Sequence, residues 1–131
     1  MADIIKTWPA FMDRRKVKAI FSSPFAMFYF VVGKGKPKQA IERMWFTHQG
    51  EILGSFKVQE IVCNVGDNIP KLRSLENRDS EWQIKRDRWV ALCPGPFTWL
   101  KGEPVYHDSF RGFHYFNFEE YSQTMESRIA V

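Results

Sequence analysis

The sequence predicts a mainly β domain of the α+β class: a small, partly closed barrel of roughly five to seven short strands, with short helices beside it. Three observations lead there. Apolar and polar residues alternate over runs of strand length, as in residues 53–62 (LGSFKVQEIV), and Gly, Pro, Asn or Ser clusters bound the runs. Aromatic residues make up 16% of the chain, with 12 Phe, 5 Trp and 4 Tyr, a composition that suits a pleated, half-buried surface. Between the runs no helical pattern is long enough to be the crossover of a parallel sheet, which excludes a doubly wound fold. A chain of 131 residues accommodates one such domain.

Residues 1–16 mix apolar and charged side chains around Pro9 and read as a basic N-terminal arm, irregular or with a short helix. Val17, Ala19 and Phe21 then alternate at the period of a strand, which Ser22-Ser23-Pro24 stops. FAMFYFVV, residues 25–32, is apolar on both faces and predicts a central strand. Gly33, Gly35 and Pro37 forbid regular structure in the next segment, and Lys34, Lys36 and Lys38 keep that loop in water. Residues 41–47 form a strand with Met44 and Phe46 on one face and Arg43 and Trp45 on the other. His48-Gln49-Gly50 turns the chain, and residues 53–62 return to complete a β-hairpin in which Phe56 and Val58 share a face. Gly54 marks a bulge or a close backbone approach. Residues 64–70 read as loop, and the alternating charges of 71–88 predict a short helix or two anchored by Leu72, Leu75, Trp82 and Ile84. Residues 89–93 make a further strand, ended by Pro94-Gly95-Pro96, and residues 97–100 and a turn at 101–104 follow. In the last strand, residues 113–118, Phe113 and Tyr115 face one way and His114, Phe116 and Phe118 the other. From Glu119 the chain is polar and frays or forms one turn of helix.

The net charge of +4 is unevenly placed. Residues 1–40 carry eight Lys/Arg against two acids, and residues 41–131 eleven against thirteen, so a first part at +6 precedes one at −2. Such clustering favours a polyanionic partner. No apolar run reaches bilayer length, so no membrane partner is expected. The opening MADIIKTWPAF has no apolar core of a secretory signal, and Cys63 and Cys93 stand far apart, which predicts reduced thiols in a cytoplasmic protein. His48, His107 and His114 are not at metal-ligand spacing with either cysteine, and no metal or other cofactor is expected. The lysine loop lacks the GxxxxGK[ST] spacing of a nucleotide triphosphatase, Tyr106-His107-Asp108-Ser109 cannot converge as a spatial triad, and no G-x-S-x-G elbow is present.

The hairpin segment Ile52-Leu53-Gly54-Ser55-Phe56-Lys57-Val58-Gln59-Glu60-Ile61 resembles that of the PUA-like superfamily, most closely its ASCH and EVE branches. In those proteins a basic Gly/Lys segment and an E-x-R-type element precede the hairpin, and here Gly33-Lys34-Gly35-Lys36 and Glu42-Arg43 stand in that order. Phe110-Arg111-Gly112-Phe113-His114-Tyr115-Phe116 is similar to a late strand of the superfamily. The resemblance spans residues 17–118 and departs from the ASCH pattern around Pro37, where the G-x-K-x-x-E-x-R spacing is stretched. It implies one domain with a pseudo-barrel that handles RNA, or modified bases in nucleic acid, in a cleft beside a basic surface. Some relatives hold a base between aromatic rings, and a few are amidohydrolases on acylated cytidine that use a Lys, a Thr and a Glu.

The candidate nucleic-acid contacts follow. Lys34, Lys36 and Lys38 would neutralise phosphates, while Arg43 and Arg111 would bind them bidentately or stack on a base, unless they are engaged in ion pairs with Glu42 or Asp108. Trp45, which alternates with core residues, and Trp99, beside a Pro-Gly-Pro turn, are the candidate stacking rings. An enzyme reading would rest on Lys34 or Lys36 as base, Glu42 as proton shuttle and Thr47 as positioner. The expectation is a binding module for RNA or a single strand, with an amidohydrolase or a protein-interaction domain as the alternatives.

Overall fold

The computed structural model describes residues 1–23, 27–63 and 87–129. The loop expected at 64–70, the charged helices expected over 71–86 and Trp82 lie outside these residues. The described elements are β1 (Ala2–Thr7), α1 (Arg14–Phe21), β2 (Met27–Gly33), β3 (Ile41–His48), β4 (Glu51–Lys57), β5 (Glu60–Cys63), β6 (Trp89–Pro94), β7 (Thr98–Trp99), β8 (Phe113–Phe116) and α2 (Phe118–Ile129). They form two sheets, a five-stranded one in the order β7-β4-β3-β1-β8 and a three-stranded one in the order β2-β6-β5. Every neighbouring pair is antiparallel except β1 with β3. The fold is therefore mainly β with two described helices, and its described strands lie in two sheets.

The expected hairpin is present. Trp45 pairs with Ser55 and Met44 with Phe56, and Gln49 and Gly50 take the positive φ angles, 52° and 82°, of a tight turn. The return strand is two strands. At Val58-Gln59 the chain leaves the larger sheet, with Val58 N donating to Glu42 O at 2.9 Å, and joins the smaller one, with Gln59 N donating to Leu92 O at 2.8 Å. One unbroken segment thus belongs to both sheets. Gly54 lies beside a register shift, and a Cβ there would stand 2.0 Å from the Thr98 carbonyl oxygen. The missing side chain lets β7 lie directly against the hairpin.

The N-terminal arm is instead a strand inside the sheet. Ile4 and Ile5 are both fully buried, because β1 is flanked by β3 and β8 and covered on both faces. Residues 17–21 are helical, not extended. Asp13 caps α1, its carboxylate accepting from Arg15 N at 2.7 Å, and Val17 and Phe21, one turn apart, are the residues it buries. Among the described strands β2 lies at the edge of its sheet rather than at its centre, and its buried residues are Phe28, Phe30 and Val32. The C-terminal segment makes a 12-residue helix, with Glu119 and Glu120 favourably placed at the positive end of its dipole.

The core between the sheets is aromatic. Phe21, Phe28, Phe30, Phe46, Phe56 and Phe97 meet with centroid separations of 4.7–6.4 Å, and Trp8 caps them edge-on against Phe21, Phe30 and Phe46. A second aromatic layer covers the other face of the large sheet. Trp45, Phe116, Phe118, His107 and Tyr121 pack on one another there, beside the buried Ile5, the register partner of Trp45.

Candidate nucleic-acid interface

The lysine loop runs between β2 and β3 and leaves Lys34, Lys36 and Lys38 exposed. Its C-terminal end is fixed by Tyr115, whose hydroxyl oxygen accepts from Lys38 N at 2.8 Å and Gln39 N at 3.2 Å. Lys36 Nζ sits 5.3 Å from the ring centre of Trp89. This places a cation over an aromatic face within the geometry of a cation–π contact. Trp89 is half-buried at the start of β6, paired with Gly33 where the loop begins. Trp89 is not among the residues that the sequence singles out. Its signal would have been the pairing of β2 with β6, and the long stretch of chain between those strands hides it.

The two expected stacking rings do not converge. On β4, Ser55 pairs with both Trp45 and Thr98, whereas Gly54 pairs with both Phe46 and Trp99. Paired residues project from the same face, so Trp45 and Trp99 lie on opposite faces of one sheet. Trp45 stacks on Phe118 at 4.6 Å and 6°, and its indole N–H donates to Asp3 Oδ2 at 3.0 Å. Trp99 packs edge-on against Phe97 at 4.6 Å and lines a cleft of about 410 Å³ with Arg14, Lys18, Ser22 and Glu51. The two rings therefore cannot sandwich a single base between them.

Arg43 is half-buried and occupied. Its Nε donates to Ser55 Oγ at 2.7 Å and its Nη2 to Thr98 Oγ1 at 2.9 Å, tying β3, β4 and β7 together. Arg111 is exposed just before β8, at the end where Phe113 pairs with Lys6. The lysine loop enters β3 at the other end, where Ala2 N donates to Ala40 O, so Arg111 is remote from it. Neither arginine pairs with Glu42 or Asp108; between described residues the one ion pair is Arg14–Glu51 at 3.1 Å.

The residues of the enzyme reading are also apart. Glu42 is the second residue of β3 and Thr47 is near its end, five residues on, which at strand rise is roughly 16 Å. Thr47 is buried, its hydroxyl donating to the His107 carbonyl oxygen at 3.0 Å, a contact that holds the 107–110 segment over β3. His48, expected only as a turn residue, is fully buried. Arg14 Nε donates to its Nδ1 at 2.7 Å, which leaves its Nε2–H to donate to Met12 O at 2.9 Å. That network anchors α1 to the hairpin turn. Among the described residues two groups are displaced by burial alone: the Lys6 ammonium is pushed below its usual range and the Cys93 thiol is pushed up to about 12.

A second, larger groove of about 760 Å³ opens beside Trp45, between β1, β8 and the start of α2. Phe116 and Phe118 join Trp45 in its wall, and Asp3, Glu42, Glu119 and Glu120 stand around it. Among the described residues that line it there is no Lys or Arg. Among the described residues no group of His, Cys, Asp and Glu could hold a metal ion, and no helix is long and apolar enough to cross a membrane. No protein-family model matches the chain, and no curated protein or solved structure matches it.

Proposed function

We propose that this chain is a nucleic-acid-binding module of PUA-like, ASCH/EVE-type pseudo-barrel architecture, whose ligand is RNA or another single strand held at the lysine loop. The observation that carries the reading is Lys36 lying over the half-buried ring of Trp89, with Lys34 and Lys38 exposed on either side. Cations alternating along a loop above an aromatic face are what a single strand requires. The ammonium groups neutralise phosphates, and a base that displaces Lys36 stacks on the indole. The path of the chain favours the architecture, since the hairpin segment that resembles the superfamily is the one shared by the two sheets. The cleft beside Trp99, with Arg14 and Lys18 on its wall, offers a second place for a base, at the opposite end of the hairpin.

The reading is tested by the binding of a fluorescein-labelled single-stranded RNA across 50 to 200 mM salt. Each phosphate contact on a single strand contributes about 0.7 to the slope of log affinity against log salt. Lys34→Ala/Lys36→Ala/Lys38→Ala should reduce that slope by about 2, and Trp89→Leu should weaken binding about tenfold at fixed salt. Arg111→Ala should change neither. Binding with an unaltered slope in the triple variant would refute the proposal.

A further inference from the structure

The groove beside Trp45 has the opposite chemistry from the lysine loop, although the two are neighbours on the surface. Tyr115 lines the groove and also holds Lys38 N and Gln39 N, so the loop ends at the groove's rim. Within the groove, aromatic faces from Trp45, Phe116 and Phe118 stand beside four carboxylates, those of Asp3, Glu42, Glu119 and Glu120. Asp3 is engaged with the Trp45 indole and Arg43 N. Glu42, Glu119 and Glu120 are exposed and pair with no cation among the described residues. A chain of net charge +4 has thus gathered unpaired negative charge around one aromatic groove. A polyanion is repelled there, whereas an ammonium or guanidinium group finds both a carboxylate and an aromatic face.

We infer that this groove is a docking site for a basic polypeptide segment, with Lys or Arg side chains inserted between the carboxylates of Glu42, Glu119 and Glu120 and the aromatic wall at Trp45. Charge complementarity selects the occupant, and the volume of about 760 Å³ is sufficient for two or three side chains rather than a single ion. Its carboxylates and aromatic wall are not the lysines and Trp89 of the other site, although Gln39 lines it at the loop's end, so it stands or falls independently of nucleic-acid binding.

The probe is a fluorescein-labelled octapeptide of alternating Lys and Arg, titrated with the full chain at about 150 mM salt, where diffuse attraction is screened beyond ~8 Å. Saturable binding is expected, weakened at least tenfold by Glu42→Gln/Glu119→Gln/Glu120→Gln. Glu103→Gln/Asp108→Asn, which removes two negative charges outside the groove, should leave it within twofold. Because Glu119 and Glu120 also stabilise the first turn of α2, Glu42→Gln alone serves as a second variant and should still weaken binding severalfold. In the NMR spectrum the Trp45 indole N–H should shift on addition of peptide while that of Trp99 stays in place. The inference fails if binding does not saturate, or if both sets of substitutions weaken it equally, which would mean net charge alone. It also fails if the chain forms a peptide-excluding dimer that the groove variant dissolves, which would give the groove to a second copy.

Discussion

Gly54 is the residue on which the position of Trp99 depends. Its φ is +146° and a Cβ would meet the Thr98 carbonyl oxygen at 2.0 Å and Leu100 N at 3.0 Å, both of them backbone atoms that cannot swing aside. Gly54→Ala should therefore destabilise the protein by about 2–4 kcal/mol, read from its urea midpoint, and should shift Trp99 fluorescence as β7 is displaced. The close approach was legible in the sequence, since a lone glycine within an alternating strand marks a bulge or a tight backbone contact. The facing of the two tryptophans was not, because it depends on a register shift and on a two-residue strand contributed from far along the chain. Lys6 gives a second test at this scale. Its register partners are Phe46 and Phe113, and burial lowers its affinity for a proton below that of the unfolded chain. The unfolded state then binds the proton more tightly, so stability rises as pH climbs from the lowered folded value to the ordinary 10.5. Lys6→Met should be more stable than the parent at neutral pH, and the difference should close as pH rises through that window in paired unfolding curves.

The elements show which signals are local. The hairpin of β3 and β4 could be read directly because its turn residues and its alternation lie within one short stretch. α1 could not, since Val17 and Phe21 satisfy both a strand period through Ala19 and a helix period across one turn. What decides between them is the residue before the pattern. Asp13 satisfies an N–H that a strand would leave to its neighbour, and Asp13→Ala should cost about 1 kcal/mol in thermal or urea unfolding. β1 escaped for a different reason. A strand covered on both faces has no alternation to display, and Asp3 and Lys6 at its ends suggest a wet arm. α2 carries its own signal in Glu119 and Glu120, an acidic first turn after Asn117, whose side chain accepts from Glu120 N at 3.1 Å.

For the whole molecule, charge was legible in amount but not in arrangement. Counting along the chain finds the basic loop, because Lys34, Lys36 and Lys38 are near neighbours in sequence. It cannot find the acidic groove, whose carboxylates come from β1, β3 and the start of α2 and meet only when β1 is inserted between β3 and β8. The same insertion governs how the protein comes into being. β1 is made well before its second neighbour, which ends at Phe116. At a synthesis rate of about 5–20 residues per second, Ile4 and Ile5 wait roughly 5–25 s before both flanks of their strand exist. Ile4 and Ile5 thus form an apolar segment that a ribosome-bound chaperone would have to shelter until Phe116 has emerged.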